Sequence, residues 1–372
     1  MAIVRATRIG DFILASPSLR ALRGALPDAR ITLVALPIVR DLAERCRFVD
    51  RVVAFPGYPG VAEQYFDARR AAEFFARMQG ERFDLAIQLH GSGVCTNPFT
   101  LMLGARYTAG LTRPGDPPGR LDAAFPLPDD GPESERFLAF VEFLGAPATG
   151  HELELHTSSA DEAAAAALLR TEAPPYVGVQ VGARERSKRW ALDRFADAAV
   201  ALRRRLGGTI VLIGGPDEHA AASRVAARAG APTLDLTTRV SLPEMAAVIR
   251  RLRVLLTNDS APAHMAYALG TPSVTIFGGT DPARWGPGRS ARHLVAMHAV
   301  SCRPCGYDEC PIGNACLCGV SVEAVVALAE RAMASAEPCL TISNFRGRRV
   351  PPERATGAPA PSRGPRHPSP RP

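Results

Sequence analysis

The strongest constraint on this chain is a regular alternation between short apolar runs, typical of buried strands, and segments with helical periodicity. Residues 2–7 predict a strand, residues 11–27 a helix and residues 30–37 a second strand. A strand, a helix and a strand within about 35 residues form a βαβ unit, which favours parallel strands joined by right-handed crossovers. The sequence therefore predicts an α/β fold.

The alternation continues through most of the 372 residues and predicts two α/β halves in tandem. Residues 111–134, rich in proline, glycine and aspartate, are predicted to be a long surface connection near the end of the first half. We expect the two halves to join near residues 145–175. A ligand should lie in the cleft between them, because open α/β sheets bind ligands at the carboxyl ends of their strands.

The net charge of +7 comes almost entirely from the C-terminal tail, residues 346–372, which hold seven arginines and one glutamate. The remainder is nearly neutral, so the charge does not indicate a nucleic-acid-binding protein. The tail is rich in proline and arginine and is predicted to be disordered. No apolar run reaches the ~18 residues of a membrane span, and the N-terminus lacks a secretory signal layout. We expect a cytoplasmic protein.

Asp11 follows the first predicted strand and begins the first predicted helix, and Gly10 before it permits a tight turn. An aspartate at this position has two interpretations. It can cap the helix, since Asp is a preferred N-cap residue. Alternatively, its carboxylate can act in catalysis at the carboxyl end of a strand.

A second strand-to-helix junction contains Asp259, Ser260, Ala261 and His264. Free N–H groups of Ser260 and Ala261, together with the helix dipole, would form an anion site suited to phosphate. His264, about one turn further on, would face the same opening. The alternative is an ordinary capped helix with His264 packed nearby.

Two further loops follow predicted strands of the second half. The loop at residues 181–190 carries Arg186 and Lys188 among three arginines and one lysine, which suits a diphosphate, although a solvated basic loop is the usual interpretation of such a run. Asp217 and Glu218 follow the next strand, where acidic side chains can bind ribose hydroxyls.

Several common motifs are absent from the sequence: the dinucleotide fingerprint, the P-loop, the Asp-x-Asp pair and the nucleophile elbow. Cys302, Cys305, Cys310 and Cys316 could supply thiolates to zinc, but their spacing fits known metal sites poorly. A loop of reduced thiols is the favoured interpretation, and no metal or other cofactor is expected.

Three blocks together resemble the lipopolysaccharide heptosyltransferases of glycosyltransferase family 9: residues 4–37, residues 255–287 and the cysteine-containing residues 302–317. The resemblance implies a GT-B architecture of two Rossmann-like domains facing each other across a cleft. We place the acceptor-binding domain at residues 1–155 and the nucleotide-sugar-binding domain at residues 156–345. It also implies ADP-heptose as donor and a lipid A–core acceptor at the inner membrane, and, in line with the charge, we expect no nucleic-acid partner.

Carried over residue by residue, the resemblance implies that Asp11 is the catalytic base of an inverting, metal-independent transfer. It places the nucleotide sugar on residues of the second half: Lys188, Asp217, Glu218 (preferred to Asp217), Asp259, Ser260, Ala261 and His264. We add Arg186, beside Lys188, to the donor-binding residues, and we expect Arg8, Gly10 and His90 of the first half to bind the acceptor. Ala261 stands where the family often has glycine, so its methyl group narrows the approach to the phosphates.

Two alternative functions remain open from the sequence. One is a nucleotide-sugar-binding or metal-carrying protein without transferase activity, in which the cysteine loop is the functional part. The other is a GT-B sugar-nucleotide epimerase, which needs no lipid acceptor and would form no glycolipid.

Overall fold

The computed structural model describes residues 1–335. The end of the second predicted domain and the tail at residues 346–372, expected to be disordered, lie outside the described residues. No helix of the described part is both long and apolar enough to cross a bilayer.

The first half of the chain forms a parallel six-stranded sheet in the order β3-β2-β1-β4-β5-β6. Its central strands are short and buried, because helices cover both faces of the sheet. The strands are β1 (Ala2–Arg5), β2 (Thr32–Ala35), β3 (Arg51–Ala54), β4 (Leu85–Gln88), β5 (Tyr107–Thr112) and β6 (Ala123–Pro126). The helices are α1 (Ile9–Leu14), α2 (Ser16–Ala25), α3 (Arg40–Ala43), α4 (Ala68–Gly80), α5 (Thr96–Leu101) and α6 (Glu133–Phe143).

The second half repeats this plan in a parallel six-stranded sheet ordered β12-β11-β10-β7-β8-β9. Its strands are β7 (Tyr176–Gln180), β8 (Thr209–Leu212), β9 (Thr233–Asp235), β10 (Val254–Asn258), β11 (Ser273–Ile276) and β12 (His293–Ala296). Its helices are α7 (Ser159–Leu169), α8 (Leu192–Leu206), α9 (His219–Ala229), α10 (Leu242–Arg250), α11 (Ala261–Leu269), α12 (Pro282–Trp285), α13 (Ala315–Cys318) and α14 (Val322–Ala334). Short 3₁₀ turns cover Pro37–Val39, Arg186–Lys188 and Pro216–Glu218.

Both sheets have the doubly wound strand order of nucleotide-binding α/β folds, so the predicted pair of Rossmann-like units is confirmed. In each sheet the order reverses between the first and fourth strands, and open α/β sheets in general bind ligands at such a reversal point. The reversal points lie between β1 and β4 in the first sheet and between β7 and β10 in the second. The loops that follow these four strands carry most of the predicted site residues.

One of the buried hydrophobic clusters in the described residues spans both halves. Helix α1 packs against α11 of the second half, and one buried cluster contains side chains from both, such as Ile13 and Met265. Helix α1 directly follows β1, and α11 directly follows β10. The packing therefore brings the two reversal points together.

Two predictions about local structure were wrong. The single helix expected over residues 11–27 is divided at Ala15 into α1 and α2, because Pro17 lacks an N–H and is tolerated only in the first turn of a new helix. The structureless connection expected over residues 111–134 contains β6 and the start of α6. The side chain of Asp122 accepts hydrogen bonds from the amide (2.7 Å) and hydroxyl (2.9 Å) of Thr108, which fix β6 beside β5.

Candidate active site

Asp11 is the third residue of α1 and is partly exposed. The N-cap position belongs to Arg8, whose side chain is exposed and makes no capping hydrogen bond. Within residues 1–335 the Asp11 carboxylate accepts no hydrogen bond. The capping interpretation of Asp11 is therefore wrong, and its carboxylate is free to act on a ligand.

The backbone around Asp11 is held by Arg5, a residue that sequence reasoning missed. Arg5 lies on β1 and is 2% exposed, and its guanidinium donates hydrogen bonds to the carbonyl oxygens of Asp11 (2.6 Å) and Leu89. The guanidinium also lies 4.1 Å from the ring centre of Phe137. The sequence did contain a signal for the role of Arg5: it is a single arginine within an apolar strand, and a buried charge requires specific partners.

His264 on α11 is the meeting point of the two halves. An ideal Cβ on Gly10 would lie only 2.7 Å from Cδ2 of His264, so the absence of a side chain at position 10 admits the ring. Burial lowers the pKa of His264, and the carboxylates of Asp259 and Asp11 partly oppose this effect, whereas Lys188 adds to it. Its buried Nδ1 has no partner in the described part of the chain. Charged side chains from both halves therefore influence the protonation of the His264 imidazole.

Lys188 is the only lysine in the sequence and lies in the loop that follows β7. Its Nζ is 3.1 Å from Oδ2 of Asp259 and 3.6 Å from Oε2 of Glu185. Asp259 is 5% exposed and also accepts a hydrogen bond from the hydroxyl of Thr280 (2.6 Å). Asp259 thus orients Lys188, and the ammonium group keeps part of its surface exposed.

Helix α11 begins at Ala261, with Ser260 as its N-cap. Neither backbone N–H, of Ser260 or of Ala261, has an acceptor among the residues that the structure describes. The Ser260 side chain does not cap the helix but donates to Oε1 of Gln180 (2.9 Å). The free N–H groups fit the predicted anion site, since helix N-termini bind phosphates readily.

Other predicted donor-binding residues have different surroundings. Arg186 extends to Glu309 (2.7 Å) and is largely exposed. Asp217 is exposed, whereas Glu218 folds inward and accepts hydrogen bonds from Gln180 (2.7 Å) and the amide of Gly215 (2.9 Å). Burial raises the pKa of Glu218. The geometry therefore connects Glu218 to the site and leaves Arg186 and Asp217 at its edge.

His90 lies two residues beyond the end of β4, at the reversal point of the first sheet. Burial and the nearby charge of Arg5 lower the pKa of His90 to about 4, so the ring is neutral at physiological pH. Its buried Nδ1 has no hydrogen-bond partner in the described region. This position suits a contact with a polar ligand group.

The cysteine loop packs on the basic loop. The amide of Ser187 donates to the carbonyl of Asp308 (2.8 Å), and the amide of Cys305 donates to the carbonyl of Gly279 (2.7 Å). Among residues 1–335 no three His, Cys, Asp or Glu side chains are grouped to hold a metal ion. The zinc alternative at Cys302, Cys305, Cys310 and Cys316 therefore lacks structural support.

Comparison with known families gives one clear match. The model of glycosyltransferase family 9 (heptosyltransferase) matches residues 71–316. Lipopolysaccharide heptosyltransferase 3 of Escherichia coli is 36% identical to this chain over 115 residues, which are 30% of this chain and 34% of the relative. The match thus spans about a third of that curated relative's length.

Solved structures match nearly the whole described chain. A glycosyl transferase family 9 structure from Veillonella parvula superposes with a TM-score of 0.76 at 22% identity, covering 90% of this chain and 97% of that one. The E. coli heptosyltransferase WaaC with ADP gives a TM-score of 0.67 at 21% identity, covering 89% and 99%. At these identities the likeness shows the fold, and it confirms the expected GT-B architecture.

Proposed function

Because the chain belongs to glycosyltransferase family 9, we propose that it is an inverting glycosyltransferase that moves heptose from ADP-heptose to a lipopolysaccharide core–lipid A acceptor. Its curated relative is named a lipopolysaccharide heptosyltransferase, and a similar structure contains ADP. Family membership argues against both alternatives, the metal-carrying protein and the epimerase.

The observation that carries this proposal is the meeting of both halves at His264. The partly exposed carboxylate of Asp11 comes from the first half, while the ammonium group of Lys188 and the free N–H groups before α11 come from the second. A single displacement needs a base on one side of the sugar ring and a cationic cradle for the departing diphosphate on the other. That the first half offers a candidate base in Asp11, and the second half a cation and free N–H groups, supports this proposal.

In the proposed reaction, Asp11 removes the proton from an acceptor hydroxyl as that oxygen attacks the anomeric carbon of the donor. The bond between the anomeric carbon and the diphosphate oxygen breaks, and the leaving ADP takes the electron pair. Lys188 and the N–H groups of Ser260 and Ala261 stabilise the resulting charge. Glu218 holds the ribose, and Arg8, Gly10 and His90 lie on the acceptor side.

The acceptor is an amphiphilic glycolipid, so the proposed place of action is the cytoplasmic face of the inner membrane, with the protein bound peripherally. The direct test is incubation of the full chain with ADP-heptose and a core-truncated lipid acceptor. We expect ADP release together with a glycolipid one heptose heavier by mass spectrometry. Release of free heptose alone, or an isomerised nucleotide sugar without a glycolipid product, would contradict the transferase proposal.

Lys188→Gln is expected to raise the Kd for ADP by roughly 10- to 100-fold, because a hydrogen bond to a charged group contributes about 1.5–3 kcal/mol. Isothermal titration calorimetry measures the effect. Arg204→Gln, which removes an exposed cation from α8, is the matched control and should bind ADP like the parent chain. Equal Kd values for all three proteins would remove Lys188 from the donor site.

The single lysine permits a second test on the unaltered protein. An amine-specific acylating reagent can modify only Lys188 and the N-terminal amine of Met1. We expect saturating ADP to slow acylation of Lys188 without changing the rate at Met1, as read by peptide mass spectrometry. Equal acylation of Lys188 with and without bound ADP would contradict direct contact.

A further inference from the structure

Gln180, the last residue of β7, is 2% exposed and links two parts of the donor side. Its Nε2 donates to Oε1 of Glu218 (2.7 Å) and to the carbonyl of Gly182 (3.0 Å). Its Oε1 accepts from the hydroxyls of Thr257 (2.8 Å) and Ser260 (2.9 Å). The amide therefore uses both donor hydrogens and both acceptor sites, which is its full capacity.

We propose that Gln180 is a positioning residue that couples ribose recognition by Glu218 to diphosphate binding at the start of α11, and so sets selectivity for ribonucleotide donors. This inference rests on the proposed nucleotide-sugar function. Gln180 touches neither the reacting atoms nor solvent, so it acts through Glu218 and Ser260.

Only an amide satisfies this arrangement. Glu218 and the Gly182 carbonyl both present acceptors, whereas Thr257 and Ser260 both present hydroxyl donors. A carboxylate at position 180 would keep the two hydroxyls but would face Glu218 and the carbonyl with lone pairs. An apolar side chain would leave all four partners without this contact, which is costly for the buried Thr257 hydroxyl and Gly182 carbonyl.

Two glycines beside Glu218 further restrict the position of its carboxylate. An ideal Cβ on Gly182 would lie 1.4 Å from Oε1 of Glu218, and one on Gly214 would lie 1.9 Å from Oε2. The carboxylate is thus enclosed by backbone and fixed by Gln180 at one oxygen and by the amide of Gly215 at the other. Loss of the Gln180 hydrogen bond releases Oε1 of Glu218.

The test compares binding of ADP and 2′,3′-dideoxyadenosine diphosphate by calorimetry, without any catalytic readout. We expect the parent chain to prefer ADP and Gln180→Glu to bind ADP about 10- to 100-fold more weakly with most of that preference lost, as for a buried hydrogen bond to a charged group. The double variant Gln180→Glu with Glu218→Gln places a donor opposite an acceptor again. It should recover a measurable part of both affinity and preference.

Gln79→Glu makes the same chemical change on α4, where the Gln79 amide donates to the Met102 carbonyl, and should leave both affinities unchanged. If Gln180→Glu binds ADP as tightly as the parent chain and keeps the parent's preference for ADP over the dideoxy analogue, Gln180 has no positioning role. An additive loss in the double variant would also overturn it, because coupling through one contact is non-additive. If the parent chain itself binds no ADP, the proposed function fails first, and the two failures are distinguishable.

Discussion

Asp11→Asn is expected to lower kcat by about 10²- to 10⁴-fold without weakening ADP binding, the usual range for loss of a general base. Asparagine preserves the shape of the side chain but cannot accept the hydroxyl proton. The Asp11 side chain makes no hydrogen bond in the described structure, and its backbone carbonyl, which accepts from Arg5, is unchanged by the exchange, so no hydrogen bond of the fold is broken. Steady-state rates with saturating donor and acceptor, together with calorimetry of ADP binding, measure the two effects separately.

Asp28→Asn is a suitable control, because it changes an exposed aspartate in the same half of the molecule. It should leave kcat and ADP affinity at the parent values. If Asp11→Asn instead weakens ADP binding in parallel with kcat, Asp11 supports the structure of the cleft and is not the base. A kcat within a few-fold of the parent value would remove it from the chemistry altogether.

The location of the candidate site could be proposed from the sequence because it depends on local patterns. Asp11 and Asp259 stand at strand-to-helix junctions, and parallel strands place such junctions at one edge of a sheet. The division of the first predicted helix into α1 and α2 could also have been predicted, since Pro17 within a helical pattern indicates a helix boundary. Lys188 carried a compositional signal, as it is the single lysine beside many arginines.

The residues that hold the site together could not be found in this way. Gln180 bonds with Glu218, 38 residues away, and with Ser260, 80 residues away. Arg5 meets the Leu89 carbonyl across 84 residues. These pairings follow from the order of strands in the folded sheets, and no local period encodes them. Strand β6 was missed for a related reason: it lies within a segment rich in proline, glycine and aspartate, and its position is fixed by pairing with β5.

Glu133 is another buried residue with a distant partner, and its loss is expected to have the largest effect on stability. It is the first residue of α6, is 5% exposed and forms an ion pair with Arg136, which is equally buried. Its Oε2 also accepts a hydrogen bond from Nε of Arg284 on α12 (2.8 Å), so the carboxylate joins the two halves. Its charge further stabilises the protonated guanidinium of Arg5, since it opposes the lowering of the Arg5 pKa by burial.

Glu133→Ala should therefore lower the free energy of unfolding by about 3–5 kcal/mol, the range for removing one partner of a buried ion pair. Urea denaturation followed by circular dichroism measures the change. The control Glu135→Ala, which removes a partly exposed carboxylate from the same helix, should lower the free energy of unfolding far less.

Adding Arg136→Met to Glu133→Ala should recover part of the loss, because the double variant no longer buries that unpaired guanidinium. Arg284 is more exposed, so Arg284→Met alone should cost about 0–1 kcal/mol. If Glu133→Ala lowers the free energy of unfolding by less than about 1 kcal/mol, water or rearranged arginines replace the carboxylate. The contact between the two halves would then depend on the apolar packing of α1 against α11.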